Sequence, residues 1–291
     1  MRCLVIGSTG LVGKAVYNAF REEGMETYGT FLKQSEGNFL RADIRDRKSL
    51  EDAFAKSRPD VAVLTAALTW VDYCEKNRQE AWEINVEGMR NVADICKKYG
   101  SAIVFMSSDY VFDGANGPYR ESDATNPVNF YGKTKLEGES IVRTIEKHLI
   151  IRTTVVFDYG EPKNFVSRLI EQNSKGIAVR APNDQYGNPT LASNLAEAIL
   201  ELVLKQKTGI YNVAGQSWLT RYDFSMLLAK KLGLDDSLIT GVTTEELGQE
   251  AARPKKGGLI VEKAQKEIKT RLLDVNEAID IFSGRMREGR I

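Results

Sequence analysis

Hydrophobic positions in the first half of the chain fall into two alternating patterns. Short, nearly continuous apolar runs occur at 2–6 (RCLVI), 60–66 (DVAVLTA) and 102–106 (AIVFM), with a run rich in β-formers at 26–31 (ETYGTF). Between them lie stretches with helical spacing, such as 11–23, where Val12, Val16 and Phe20 share a face, and 81–99. Apolar runs without alternation are what strands look like when both faces are covered, as in parallel sheets flanked by helices. The alternation predicts a doubly wound α/β fold. One more strand is expected at 148–156 (HLIIRTTVV), after which the elements become shorter and less regular. Helical patterns recur near 164–172, 191–204, 221–232 and 261–268, separated by loops such as APNDQYGNPT and AARPKKGG. The pattern therefore divides the chain into a nucleotide-binding part, 1–157, and a substrate-binding lobe, 158–291, with part of 186–215 expected to fold back onto the sheet. The charged ending GRMREGRI reads as a solvated tail.

The turn after the first strand carries Gly7-Ser8-Thr9-Gly10-Leu11-Val12-Gly13 and opens the first helix. Glycines there permit a tight turn and close approach of backbone to a pyrophosphate, and the helix N-terminus offers N–H groups and a positive dipole end. This is the setting of a Rossmann-type cofactor site, with Gly7, Thr9, Gly10, Leu11, Val12 and Gly13 against the phosphates. The spacing is G-x-x-G-x-x-G, and an ordinary strand-to-helix turn is the competing explanation. At the end of the second strand no Asp or Glu occurs between Tyr28 and Ser35, where an NAD site usually places an acid for the ribose. Thr30 and Lys33 are candidates to take a 2′-phosphate, so NADPH is the expected cofactor, with NADH as the other candidate. Asp43 can accept from the adenine amino group and Ile44 can wall the ring. Asp43 can alternatively cap the helix that starts near Arg47, although Asp46 is better placed to do so.

Composition narrows the classes further. Lys+Arg and Asp+Glu number 40 each, so there is no basic excess of the kind a non-specific nucleic-acid binder shows. Three cysteines (Cys3, Cys74, Cys96) form no C-x-x-C pair, and His148 is the only histidine. Disulfide frameworks, zinc sites and Ser-His-Asp chemistry are disfavoured, and no bound metal is expected. No apolar stretch approaches the roughly 20 residues of a membrane span, and the first residues do not resemble a signal peptide. A cytoplasmic protein with no nucleic-acid or membrane partner is the expectation.

The candidate chemistry lies in Phe130-Tyr131-Gly132-Lys133-Thr134-Lys135. The Y-x-x-x-K spacing places Tyr131 and Lys135 on one helical face. A free tyrosine titrates near ~10 and is a poor acid–base group at neutral pH, but a nearby cation favours the phenolate. General acid–base work favours a value near the operating pH. An amphipathic helix with a surface lysine explains the isolated motif as well. Upstream, the 102–106 strand runs into Ser107-Ser108, and a hydroxyl at the C-terminal end of a parallel strand lies where ligands bind. Ser108 can donate to a substrate carbonyl, or simply form a turn. Asn85 can hold a water that relays protons, or be a buried amide satisfied by backbone.

These segments resemble the extended short-chain dehydrogenase/reductase family, and within it the dTDP-4-dehydrorhamnose reductase branch. The resemblance runs over about residues 1–254, in an ordered series. It comprises Thr65-Ala66-Ala67-Leu68-Thr69 with Val71-Asp72 and Glu75, Ile84-Asn85-Val86, Ser108 to Gly114, and Pro118-Tyr119. Glu121, Asp123, Pro127, Tyr131-Gly132-x-x-Lys135 and Gly138-Glu139 follow. Arg152-Thr153, Asn164-Phe165-Val166, Asp184 to Thr190, Arg221-Tyr222 and Arg253-Pro254 close it. The resemblance implies reduction by NADPH of the C4 ketone of a nucleotide-linked 4-keto-6-deoxy sugar. Tyr131 would protonate the alkoxide, Lys135 would hold the nicotinamide ribose and lower the tyrosine pKa, and Ser108 would bind the carbonyl. Ala66, Ala67 and Leu68 would lie beside the cofactor ribose, and Thr69, Tyr110, Asn164 and Arg253 would contact substrate.

The chain departs from the family where Val155 stands for a frequent Trp and Phe157 for a frequent Tyr, which leaves the sugar open. Ala15 stands where some members carry an acid for a shared metal. The fold also hosts sugar-nucleotide epimerases and dehydratases. Only Asp109, followed by Tyr110, accompanies Ser108, which weakens the dehydratase reading. The branch also includes an NADP-binding regulatory subunit of methionine adenosyltransferase, against which the complete Ser108, Tyr131 and Lys135 set argues. A homodimer is the commonest expectation for a soluble oligomer.

Overall fold

A computed structural model describes residues 1–33, 39–159 and 164–287. The first elements are β1 (Arg2–Ile6), α1 (Leu11–Glu22), β2 (Glu26–Phe31) and β3 (Leu40–Arg41). They are followed by α2 (Arg47–Ser57), β4 (Val61–Leu64), α3 (Val71–Lys76), α4 (Arg78–Trp82), α5 (Gly88–Tyr99) and β5 (Ala102–Ser108). Then come α6 (Phe130–Val142), β6 (His148–Thr153), α7 (Phe165–Ser174), α8 (Ala192–Leu204) and a further strand, Gly209–Asn212. The remaining large elements are α9 (Arg221–Leu232) and the C-terminal helix Val275–Arg287.

The apolar runs pair into one parallel sheet in the order β3, β2, β1, β4, β5, β6, Gly209–Asn212. Alternate residues of β1 point to opposite faces, as the two-residue period of a strand requires. Cys3 and Val5 join a core with Val16, Phe20, Leu195 and Ile199. Leu4 and Ile6 join another with Leu50, Phe54, Val92 and Ile95. Each such fully buried side chain contributes about 1.5–3 kcal/mol, so both faces need their helices. The strand order reverses between β1 and β4, and the crevice beyond their C-terminal ends is where ligands bind in such sheets. A third core gathers Phe157, Leu169, Phe224, Leu228, Ile279 and Phe282 in the second half of the chain.

Three expectations are corrected. The strand predicted to run to 156 stops at Thr153, because Val155 has φ +48°, a backbone conformation a β-branched residue rarely adopts. Val156–Phe157 then pairs separately with Thr190–Leu191. The helical stretch at 81–99 is interrupted by a wide π-helical turn over Glu83–Glu87. Residues 284–287 of the expected tail are the end of the C-terminal helix, and Met286 packs on the third core. Residues 288–291 lie outside the described residues. Among the described residues no helix is long and apolar enough to cross a membrane.

Candidate active site

The glycine loop is shaped by contacts that leave no room for side chains. Gly7 has φ +94°, and a Cβ there would lie 2.7 Å from the Ala66 nitrogen. A Cβ on Gly13 would lie 2.1 Å from the Gly7 carbonyl oxygen. The loop is fastened from below by Thr65, whose hydroxyl donates to the carbonyls of Ile6 (2.9 Å) and Gly7 (3.1 Å). Helix α1 has no side-chain cap on Gly10 and no acid in its first turn, so among the described residues no capping side chain competes with an anion for its leading N–H groups. A bare backbone cradle at a helix N-terminus, placed at the sheet's reversal point, fits the pyrophosphate of a dinucleotide.

The adenosine side is less as expected. Thr30 is only 1% exposed. Its hydroxyl accepts the Gly7 N–H at 3.0 Å, while its backbone exchanges hydrogen bonds with Ser8. Thr30 therefore shapes the loop from beneath and does not face a 2′-phosphate. Lys33 is exposed. Asp43 is gripped by Arg45, with contacts of 2.7–3.2 Å that hold its carboxyl below the usual range. The capping of α2 falls to Asp46, which accepts from the Lys48 N–H. Ile44 is buried and packs on Gly88, whose added Cβ would lie 2.7 Å from it.

Ser108, Tyr131 and Lys135 converge at the C-terminal end of β5. Helix α6 begins at Phe130 because Asn129 caps it, accepting the Gly132 N–H at 2.8 Å. Gly132 lets the helix close on the Ser108–Tyr110 turn, since a Cβ there would lie 2.1 Å from the Tyr110 carbonyl oxygen. The Tyr110 ring meets the Tyr131 ring edge-on, with centroids 5.7 Å apart. Burial pushes the Tyr131 phenol above the ordinary tyrosine value, reinforced by Cys74, Tyr110 and Asp109, while a hydrogen bond with Ser108 opposes. Lys135 lies 5.7 Å from the Tyr131 ring centroid and donates to the Met106 carbonyl at 3.0 Å. Burial lowers its pKa to about 8, with Cys74 and Glu139 pulling the other way. The direction for Tyr131 is thus opposite to the lowering expected from Lys135, with burial as its first cause. The phenol holds its proton at neutral pH, the state a proton donor needs.

Two further sequence candidates are engaged elsewhere. Asn85 accepts the Leu68 N–H (2.7 Å) and donates to the Leu68 carbonyl (2.9 Å) and the Thr134 hydroxyl (3.1 Å). With both ends of its amide occupied at 4% exposure, it ties the β4 loop to α6 rather than holding a relay water. Asn164 caps α7, accepting the Val166 and Ser167 N–H groups, and donates to the Asp158 carbonyl at 2.6 Å. That leaves one Nδ2–H of its amide for a ligand, so its first role is to start α7. Arg253 is paired with Asp72 at 2.8 Å. Ala66, Ala67 and Leu68 are half-buried and Thr69 is exposed at the rim.

Beneath the site lies a pair that the sequence names in the family series without a role. Arg152 is clamped by Glu139 through contacts of 2.8 and 2.7 Å, and Ser107 donates to the same carboxylate at 2.6 Å. An arginine inside the apolar run HLIIRT was the available signal, because a buried cation needs an acid.

The model of the RmlD substrate binding domain matches residues 1–287. The chain is 34% identical over 255 residues to a spore coat polysaccharide biosynthesis protein of Bacillus subtilis, covering 87% of each. A dTDP-4-dehydrorhamnose reductase from Clostridium acetobutylicum superposes with a TM-score of 0.90 at 30% identity, over 99% of this chain and 100% of that one. One from Bacillus anthracis, solved in complex with NADP, gives 0.88 at 29% identity over 97% and 98%.

Proposed function

The chain belongs to the RmlD substrate binding domain family, and on that premise we propose that it reduces the C4 ketone of a nucleotide-linked 4-keto-6-deoxy sugar, as a reductase of the dTDP-4-dehydrorhamnose kind. The observation that carries this reading is that Ser108, Tyr131 and Lys135 come together at the end of β5, on the same C-terminal edge of the parallel sheet from which the glycine loop leaves β1. NADPH, with NADH as the alternative, supplies the hydride when bound.

The chain's own residues do the rest. Gly7, Gly10 and Gly13 with the α1 N-terminus hold the phosphates, and Ala66, Ala67 and Leu68 line the ribose side. Tyr131 gives its proton to the oxygen that becomes an alkoxide at C4. Such an oxygen is a far stronger base than a phenolate, so even a tyrosine raised by burial donates to it. Ser108, whose hydroxyl donates to Asp109 at 3.1 Å, turns that proton to the carbonyl when substrate binds and so fixes it beside the phenol. Lys135 holds the nicotinamide ribose and balances the phenolate left behind. Water is kept from the phenol by Tyr110, Cys74 and Leu68 packed around it.

The test is NADPH oxidation, followed by absorbance, with freshly prepared dTDP-4-keto-6-deoxy sugar. Wild type should consume NADPH stoichiometrically, and Tyr131→Phe should lose about 100-fold or more in kcat, the scale of a general acid. Binding of NADPH without any oxidation, by wild type as well as the variant, would overturn the reading.

A further inference from the structure

We propose that Arg221 binds the diphosphate of the nucleotide-sugar substrate; this rests on the reading above and extends it to a residue to which that reading gave no role. Arg221 is the first residue of α9, and its position is over-determined. Thr220 and Asp223 form a capping box around the helix start, and the Arg221 N–H donates to the Gln185 carbonyl at 3.1 Å. The guanidinium lies over the Phe165 ring, 5.2 Å from its centroid. Among the described residues no carboxylate lies within ion-pairing distance of it, although it is half-buried.

Its surroundings explain why that matters. Asp109 is the acid in electrostatic reach, but both its oxygens are occupied. One accepts from Thr154 (2.7 Å) and the Gly258 N–H (3.1 Å), the other from Ser108 (3.1 Å). The neighbouring cation Arg253 has its own partner, Asp72, whose second oxygen accepts the Ala251 N–H. Two guanidinium groups in one region are therefore served by one ion-pairing carboxylate. A half-buried cation beside a like charge is unfavourable unless an anion completes it. The planar five-donor fork of arginine suits a diphosphate. Tyr110, in electrostatic reach of both arginines, is in edge contact with Tyr131, which puts the cation and the proton donor on either side of the same ring's surroundings.

The experiment uses the full chain and dTDP, UDP and thymidine as probes, with calorimetry for the nucleotides and ligand-observed NMR for thymidine. In Arg221→Met, dTDP affinity should fall at least about tenfold, as for a lost charged hydrogen bond. Thymidine and NADPH affinities should be unchanged. Arg221→Lys, which keeps the charge without the fork, should fall between wild type and Met. In turnover, KM should rise while kcat stays within about threefold. Unchanged dTDP affinity in a variant with wild-type Tm overturns the proposal, as does an equal loss for dTDP and thymidine, which indicates a general disturbance of the cleft. A wild-type chain that binds neither dTDP nor UDP overturns the reductase reading as well. If wild type binds dTDP and only the Arg221 variants fail to differ, the loss is confined to this inference.

Discussion

Replacing Glu139 by Gln tests both the packing and the chemistry of the site. Glu139 and Arg152 have side chains 0% and 1% exposed. The carboxylate accepts two bonds from Arg152 and one from Ser107. The Arg152 guanidinium also lies over the Phe112 ring, 5.0 Å from its centroid. Gln keeps the shape and one acceptor but leaves the guanidinium as an unneutralised buried charge. Breaking one side of such a pair costs about 3–5 kcal/mol, roughly 10 °C in Tm for a chain of this size. Arg143, 3.5 Å from the same carboxylate but half in solvent, does not offset this. Glu139→Gln/Arg152→Met should recover much of the loss, because it removes the orphaned charge. The same carboxylate also raises the Lys135 pKa, which stands at about 8. Lys135 acts as a cation and loses its proton as pH rises through that value. Without Glu139 the value falls, so the alkaline limb of kcat should move to lower pH. The assays are thermal unfolding by circular dichroism and the pH dependence of NADPH oxidation. A stability loss under about 1 kcal/mol, the range of surface pairs, or an alkaline limb that stays in place or moves up, would refute the reasoning.

Two other substitutions separate roles that sequence leaves ambiguous. Gly13→Ala puts a methyl 2.1 Å from the Gly7 carbonyl oxygen and 2.7 Å from the Thr65 hydroxyl. It should cost about 1–3 kcal/mol as overpacking, and NADPH affinity measured by fluorescence titration should fall at least tenfold. Retained affinity would mean the loop is not the phosphate cradle. Asn85→Ala strands the Leu68 N–H and carbonyl, so stability should drop by about 2–3 kcal/mol while kcat remains within about tenfold of wild type. A large fall in kcat with unchanged Tm would restore the water-relay role.

The sheet was legible because its strands are buried on both faces: RCLVI and AIVFM have no polar alternation to confuse with a surface strand. The glycine loop was legible for the same kind of reason, since its backbone approaches dictate glycine at 7 and 13. Short polar side chains were not. Thr30, Asn85 and Asn164 each have chemistry that suits a ligand, yet each is bound to backbone. Thr30 and Asn85 reach partners 23 and 17 residues away, distances at which local pattern is silent. Sequence spacing placed Lys135 beside Tyr131 but carried no information on desolvation, which decides the sign of the Tyr131 shift. The end of β6 was overrun because nothing in TTVV announces a positive φ at Val155.

The place of Gly209–Asn212 in the sheet bears on how such proteins can be re-engineered. The chain leaves the sheet after β6, builds α7, and then returns. Helix α8 covers the face that Val16 and Phe20 share, and Gly209–Asn212 pairs with Leu149–Arg152 before the chain departs again. A cut after 157 would therefore strip the N-terminal part of an edge strand and of apolar cover for β1 and α1. The second half of the chain is not a cassette that can be lifted from one relative and plugged into another. Exchange of this half between relatives would have to transplant two separate segments, about 164–187 and 215–287, and leave the stretch that stitches them to the sheet in place.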